Sequence, residues 1–162
     1  MTIMRMVVMG VSGCGKSSVG EEIARLTAAH FVDGDDLHPA ANKAKMGAGI
    51  PLDDEDRWPW LDKVGATLAA PEGAIVACSA LKKIYRDRIR AVAPDTIFVH
   101  LDGSRDLLWE RMSARQNHFM PVSLLDSQLA ILEPLGADEK GVTLSITESV
   151  PRLAQLAIEA AD

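Results

Sequence analysis

The chain has 162 residues, enough for one domain with a sizeable core. Its 48% hydrophobic and 25% charged residues are typical of a soluble globular protein, and its formal net charge of −6 disfavours non-specific binding to nucleic acid. No apolar stretch approaches the length of a transmembrane helix, and Cys14 and Cys78 lack the spacing of a metal site or a disulfide framework. We therefore expect a single domain over 1–162 in the reducing cytoplasm, with no nucleic-acid or membrane partner.

Short apolar runs alternate with stretches whose apolar residues recur at helical spacing, so strands alternate with helices. In chain order the pattern predicts a strand at 6–9, a helix at 18–29, a strand at 30–33, helices at 39–48 and 58–69, a strand at 74–78, a helix at 82–91, a strand at 97–101, helices at 105–115 and 123–132, a strand at 142–146 and a helix at 150–161. This order favours an α/β fold with a parallel sheet, helices on both faces and right-handed crossovers. Such a sheet binds its ligand outside the carboxyl ends of the strands.

The start of the predicted helix at 58–69 is marked by three residues. Asp53 is a plausible N-cap, but Asp56 is only a weak match to a capping box, which favours Glu or Gln at that position. Pro59 is compatible with the helix only if it lies in the first turn, because proline has no N–H to donate.

The most informative stretch lies between the first strand and the first helix. Residues 10–17 match G-x-x-x-x-G-K-[ST], the Walker A phosphate loop, in the strand–loop–helix context that this motif requires. Its glycines permit the backbone to curl around an anion, and the helix start adds unpaired N–H donors. Lys16 is placed to reach the β- and γ-phosphates of ATP, and Ser17 to bind Mg²⁺. The expected nucleotide contacts are Gly10, Ser12, Gly13, Cys14, Gly15, Lys16, Ser17, Ser18 and Arg111.

Acidic residues follow the second predicted strand. Asp33 ends that strand, and Asp35 lies two residues later across a glycine. Beside a phosphate loop, one carboxylate can hold Mg²⁺ through water while the other accepts the proton of the acceptor hydroxyl. The alternative is that these carboxylates only cap the next helix.

Two groups of cations could neutralise phosphate or substrate charge. Residues 82–90 contain five basic residues and one acidic residue, a net charge of +4, which we expect to set a local field for an anionic substrate. Within this segment, Arg88 and Arg90 fit a solvated helix face better than a site. Arg111 and Arg115 share a helix face at i and i+4, and a polar stretch follows Arg115, which indicates a mobile lid at about 112–135.

The lone histidines His38 and His118 have poor spacing for metal ligands. Hydrogen bonding to a hydroxylated substrate and a structural role are about equally compatible with their positions.

Six motifs together resemble the gluconokinase family, which phosphorylates D-gluconate at its 6-hydroxyl with ATP. They are GVSGCGKS at 10–17, DGDDLHP at 33–39, NKAKM at 42–46, GIPLDDEDRWPWL at 49–61, CSALKKIYRD at 78–87 and GADE at 136–139. The second and fifth motifs are far more specific than the phosphate loop.

This resemblance implies a three-layer P-loop kinase fold, with five parallel strands in order 2-3-1-4-5, a lid and a helical substrate-binding region. It also implies ATP and Mg²⁺ as cofactors and a homodimer. Lys16, Asp35 and Arg115 carry over as catalytic residues, and Ser17 as a metal contact. Asp33 is the second predicted metal contact, although the sequence leaves open whether Asp33 or Asp35 faces the metal. The implied substrate contacts are Asp35, Arg57, Lys82, Lys83 and Arg86, to which the chemistry of their side chains adds His38 and His118.

Three alternatives to gluconate phosphorylation remain open. The same scaffold could phosphorylate another small sugar acid or polyol, or have a shikimate-kinase-like activity. A nucleotide-binding regulator without phosphoryl transfer is a different class of function, and the set Lys16, Ser17, Asp35 and Arg115 argues against it.

Overall fold

Strands and helices alternate along the chain as the apolar pattern predicts. The computed structural model describes residues 3–114 and 122–161. Its elements are β1 (Arg5–Met9), α1 (Lys16–Thr27), β2 (Phe31–Asp33), a 3₁₀-helix (Gly34–Leu37), α2 (Ala40–Gly47), α3 (Asp54–Ala69), β3 (Ala74–Ala77), α4 (Lys83–Val92), β4 (Ile97–Asp102), α5 (Arg105–Ser113), α6 (Val122–Ile131), β5 (Gly141–Ser145) and α7 (Val150–Ala161).

All five strands are parallel, in the order β2-β3-β1-β4-β5 that was predicted. The central strand β1 pairs with both neighbours, so that Val7 lies opposite Val76 on one side and Phe98 on the other. Its residues Met6 to Met9 are fully buried, as a strand covered by helices on both faces requires. The phosphate loop therefore leaves the centre of the sheet, at the carboxyl end of β1.

Successive residues of the strands face two separate hydrophobic cores. One core joins Met6, Val8 and the alternate residues of β4 to helices α1, α5, α6 and α7. The other joins Val7, Met9 and Phe98 to helices α3 and α4. This alternation gives the three-layer α/β/α architecture. In the part of the chain that the structure describes, no helix combines the length and hydrophobicity needed to cross a membrane.

Helix α3 starts earlier than its apolar pattern predicts. Asp53 is its N-cap, and Asp56 completes a reciprocal capping box, with N–O distances of 2.7 and 3.1 Å. The expectation that Pro59 lies in the first turn is wrong, because the helix begins at Asp54 and Pro59 falls in its second turn. Pro59 and Glu55 are both exposed, so water can satisfy the Glu55 carbonyl that Pro59 leaves without an N–H.

Candidate active site

The phosphate loop has the backbone conformation of an anion cradle. Gly10, Gly13 and Gly15 have φ angles of 146°, 86° and 91°, which residues with a Cβ rarely adopt. A Cβ on Gly15 would meet nothing within 4 Å, so the loop is open at this point. Helix α1 then begins at Lys16 without a side-chain cap, which leaves its first N–H groups available to an anion.

The ammonium group of Lys16 curls back over this loop. Its Nζ lies 3.0 Å from the Gly10 carbonyl oxygen and 3.2 Å from that of Val11. The Lys16 ammonium is therefore held against the phosphate loop, near the expected position of the terminal phosphates of a nucleotide. The loop and Lys16 together are suited to bind the phosphates of a nucleoside triphosphate.

Helix α6 also contacts the phosphate loop. The backbone N–H of Ser12 donates to Oε1 of Gln128 at 2.7 Å. This contact joins residues far apart in sequence, and no local motif predicts it.

A cavity of about 470 Å³ lies beside the phosphate loop. Gly13, Cys14 and Ser18 line it, together with Arg111 and the segment from Glu148 to Val150. Arg111 is held over the cavity by a 2.6 Å hydrogen bond from its Nη2 to the Ile146 carbonyl. Gly15 also lines this space, so the structure brings five predicted nucleotide contacts to a cavity that can accept a nucleoside. Their contact with a nucleotide stays a prediction.

The acidic residues after β2 form a short 3₁₀-helix at the same edge of the sheet. The Asp33 side chain accepts a 3.0 Å hydrogen bond from the Asp35 N–H, so Asp33 does cap this helix. One Asp33 oxygen therefore caps this helix, and the role of Asp33 as a metal contact stays a prediction.

Asp35 is accessible to solvent, yet the surrounding protein partly desolvates it. This desolvation and the negative charge of Asp33 raise the pKa of Asp35, and the positive charge of Lys16 opposes the rise. A carboxylate with a raised pKa beside the phosphate loop is suited to accept a proton.

His38 is buried against helix α3, with only 7% of its surface exposed. Its ring stacks on Trp60 at a centroid distance of 4.2 Å, and Trp60 Nε1 donates to the Gly34 carbonyl at 2.8 Å. Burial lowers the pKa of His38, so the ring is neutral at physiological pH. The sequence assigns no role to Trp60, yet its side chain contacts both His38 and Gly34, the first residue of the 3₁₀-helix.

Two predicted substrate contacts, Arg57 and Lys82, meet around Asp54 and Tyr85. Arg57 Nη1 and Lys82 Nζ lie 3.7 and 3.8 Å from Asp54 Oδ1. Both cations also lie over the Tyr85 ring, 5.3 and 5.5 Å from its centroid. We call Asp54, Arg57, Lys82 and Tyr85 the cationic cluster. It leaves one positive charge uncompensated by the carboxylate it contains.

The other basic residues of the 82–90 segment pair with carboxylates, so the local positive charge is smaller than the expected +4. The Lys83 ammonium pairs with Asp87 at 3.3 Å, and Arg88 pairs with Asp62 at 2.7 Å. The expectation of a solvated Arg90 is also wrong, because its guanidinium binds Glu139 at 2.6 Å and lies 4.5 Å from the Phe98 ring centroid.

Arg86 is placed differently from the predicted substrate contact. Its side chain is fully buried and makes a bidentate pair with Glu139 at 2.8 and 3.0 Å. Its Nη1 donates to the carbonyls of Ala80 and Leu81 at 2.9 and 3.2 Å. With its guanidinium used in this way, Arg86 supports the loop before α4 and does not reach a ligand.

Glu133 fastens the same loop from the segment that follows α6. Its Oε1 accepts the Lys83 N–H at 2.9 Å, and its own N–H donates to the Leu81 carbonyl at 2.7 Å. Hydrogen bonds from Arg86 and to and from Glu133 therefore hold the loop that carries Lys82.

The residues present fit a magnesium ion that relies on phosphate and water ligands. Within residues 3–114 and 122–161, no group of three His, Cys, Asp or Glu side chains could hold a metal alone. Mg²⁺ usually takes one or two protein oxygens and completes its octahedron with water and phosphate. Ser17, the second residue of α1, and the acidic turn at Asp33 are oxygen donors of this kind. Arg115 and His118, also predicted site residues, lie outside the described residues.

Comparisons with known proteins match this chain to small-molecule kinases. The family model for shikimate kinase matches residues 12–134. The chain is 47% identical over 140 residues to the thermosensitive gluconokinase of Escherichia coli K12, covering 84% of this chain and 75% of that protein. It is also 47% identical over 144 residues to the gluconokinase of Gluconobacter oxydans 621H, covering 86% and 81% of the two chains.

A solved structure extends this similarity to the fold. The crystal structure of a gluconokinase from Sinorhizobium meliloti 1021 matches with a TM-score of 0.90 and 47% identity, covering 98% of this chain and 91% of that one. With sequence identity this high over most of its length, the chain belongs to the gluconokinase family of P-loop kinases.

Proposed function

We propose that this protein transfers the γ-phosphoryl group of ATP to D-gluconate and forms 6-phospho-D-gluconate. One observation carries the proposal: a series of neighbouring polar groups connects the phosphate loop with the cationic cluster. Asp35 interacts electrostatically with Lys16 and His38, and His38 in turn with Arg57. The series begins at Lys16 and ends at the cationic cluster, whose uncompensated positive charge favours an anionic acceptor.

Asp35 is the proposed general base. Its carboxylate accepts the proton of the attacking hydroxyl, and its raised pKa brings its proton affinity closer to the operating pH. Lys16 neutralises charge on the transferred group, and Arg115 is the proposed second cation. Mg²⁺, held by Ser17 and Asp33, supplies further neutralisation of phosphate charge when bound.

The cationic cluster is the proposed site for the gluconate carboxylate. Arg57 and Lys82 are about a quarter and a third exposed, and both retain N–H groups for an incoming anion. Asp35, His38 and His118 are the proposed partners of the hydroxyl groups. Lys83 and Arg86 act instead through the backbone that positions Lys82.

The cavity beside Gly13 is the proposed site of the nucleoside. Arg111 stands at its edge and can lie against the base, while Ser18 and Cys14 line the phosphate side. We also propose that the enzyme acts with Mg²⁺ as a homodimer, as the family resemblance implies, and that it resides in the cytoplasm, as its cysteine content indicates.

A substrate panel tests the proposed reaction. ATP turnover is measured with D-gluconate, other sugar acids, polyols, shikimate and nucleoside monophosphates as acceptors. We expect stimulation by gluconate to exceed that of every other acceptor. If shikimate, a polyol or another sugar acid gave stronger stimulation, that compound would become the proposed substrate. ATP binding without turnover would indicate a regulator.

A further inference from the structure

Asn42 makes two hydrogen bonds beneath His38. It belongs to α2, and only 3% of its surface is exposed. Its Nδ2 lies 3.2 Å from His38 Nδ1 and 2.8 Å from the backbone carbonyl oxygen of Asp56. One amide nitrogen therefore connects the imidazole to helix α3.

The contact with Asp56 fixes which way the Asn42 amide faces. A carbonyl oxygen only accepts hydrogen bonds, so the group 2.8 Å from it must be the NH₂ of Asn42 and not its oxygen. The second hydrogen of this NH₂ then points to His38 Nδ1. Because Asn42 donates, Nδ1 must accept, and the proton of the neutral ring resides on Nε2.

We propose that Asn42 is a positioning residue that holds His38 as the neutral Nε2–H tautomer, so that His38 donates a hydrogen bond to an oxygen of the acceptor substrate. The hydrogen bond from His38 to the substrate rests on the proposed function. The tautomer itself rests only on the geometry of Asn42, His38 and Asp56.

The surroundings hold this arrangement rigid. Trp60 stacks on the imidazole ring, and Asp56 is anchored by the α3 capping box and by Lys45 at 2.8 Å. Among residues 3–114 and 122–161, no group makes a hydrogen bond to Nε2 of His38. The charged groups that influence the ring are Asp35, Arg57 and Lys43.

This tautomer divides the chemistry between Asp35 and His38. The only lone pair of the ring is occupied by Asn42, so His38 cannot take the proton of the attacking hydroxyl. Asp35 can accept a hydrogen bond, and His38 can donate one. A hydroxyl group satisfies both, whereas a substrate without that hydroxyl leaves two polar groups unpaired, which is a strong basis for discrimination.

Long-range ¹H–¹⁵N spectra of the histidine rings test the tautomer directly in the full chain. The His38 signals are assigned by their loss in His38→Gln. At neutral pH we expect a protonated Nε2 and an unprotonated Nδ1 in the unmodified protein. A proton on Nδ1, or on both nitrogens, would overturn the proposal without any need for a variant to fold.

Asn42→Asp is the matched substitution, because it keeps the side-chain shape but replaces the donor with an acceptor. We expect the proton to move to Nδ1, or the ring to become doubly protonated. Lys45→Gln serves as control, because it removes another α2–α3 contact to Asp56 and leaves Asn42 in place. The control should keep the Nε2–H tautomer; a change equal to that in Asn42→Asp would attribute the effect to general loosening and overturn the proposal.

Kinetics separate this proposal from the proposed function. We expect Asn42→Asp to lower kcat/KM for gluconate about tenfold while the KM for ATP stays unchanged. His38→Gln, which retains an N–H near the Nε2 position, should keep more activity than His38→Asn, which does not reach it. Unchanged gluconate kinetics in Asn42→Asp with an altered tautomer would contradict the donor role. Absence of gluconate phosphorylation by the unmodified protein would instead refute the proposed function and leave the spectral result standing.

Discussion

Tyr85 donates a 2.5 Å hydrogen bond from its hydroxyl to Oδ1 of Asp54, and this pair organises the cationic cluster. The hydrogen bond from Tyr85 lowers the pKa of Asp54, with further contributions from Lys82 and Arg57. Burial and the same bond raise the pKa of Tyr85 to about 12. Asp54 therefore remains a carboxylate that fixes two cations, and Tyr85 remains a neutral donor.

Asp54→Asn tests this organising role. The substitution keeps the side-chain volume but removes the charge that aligns Arg57 and Lys82. We expect the KM for gluconate to rise about two- to fivefold, with a smaller change in the KM for ATP, because only the acceptor side loses its geometry. A fall in the gluconate KM would show that Asp54 competes with the substrate for these cations.

Lys82 and Lys83 are adjacent in sequence and provide a sharp comparison. Lys82 precedes α4 in an extended conformation, whereas Lys83 is the first helical residue and pairs with Asp87. Loss of a charge-assisted hydrogen bond to the substrate should raise the gluconate KM about 10- to 100-fold in Lys82→Ala. Steady-state kinetics of Lys83→Ala should show a change within about twofold. Equal effects of both substitutions on the gluconate KM would show that Lys83 also contacts the substrate.

The buried pair of Arg86 and Glu139 should contribute to stability rather than to substrate contact. Glu139→Gln leaves the guanidinium without its charged partner, and we expect the free energy of unfolding to fall by about 3–5 kcal/mol. Denaturant unfolding measures this change. Asp126→Asn, which breaks the exposed pair with Arg105, is the control and should cause little loss. Similar losses in both variants would refute a special role for the buried pair.

Glu139 also predicts a dependence of stability on pH. Burial by itself would raise its pKa, but hydrogen bonds from Arg86, Gly136 and Arg90 outweigh that effect and lower the pKa to about 2. A lowered folded-state pKa stabilises the protein above the ordinary range of Glu, and this stabilisation is lost as pH falls toward 2. Stability curves should therefore fall less steeply in acid for Glu139→Gln than for the unmodified protein. Parallel curves would contradict the assignment.

For Asp35 we expect the opposite of Glu139: its negative charge should lower the stability of the folded protein. Its pKa is raised, so the folded state disfavours the carboxylate at neutral pH. Asp35→Asn should thus abolish transfer while the melting temperature stays the same or rises. In the unmodified enzyme, kcat/KM for gluconate should decline with acid at a pH above the ordinary range of Asp. A destabilised Asp35→Asn variant would show that this carboxylate is structural.

Local sequence was sufficient for the strands and for the phosphate loop, but not for the order of the strands. The apolar runs predict the strands and their order follows from the family resemblance, while the spacing of Gly10, Gly15 and Lys16 predicts the phosphate loop. The glycine conformations and Lys16 position in the structure agree with that prediction. These features depend on contacts within a few residues, which periodicity and spacing reflect.

The acceptor half depends on contacts between distant residues, and here sequence was insufficient. Arg86 carries the same charge as Lys82, yet Glu139, 53 residues away, draws it into the interior. Tyr85 and Asp54 are 31 residues apart, and no local pattern connects them. Asn42 has no charge and no catalytic spacing, so only the structure reveals its contact with His38.

The most direct test of phosphoryl transfer is identification of the product. Gluconate and ATP are incubated with the unmodified protein and with Asp35→Asn, and the mixtures are analysed by ³¹P NMR. We predict a phosphate monoester at the 6-position of gluconate with the unmodified protein and none above background with Asp35→Asn. Release of inorganic phosphate without that ester, or equal ester formation by both proteins, would contradict the account.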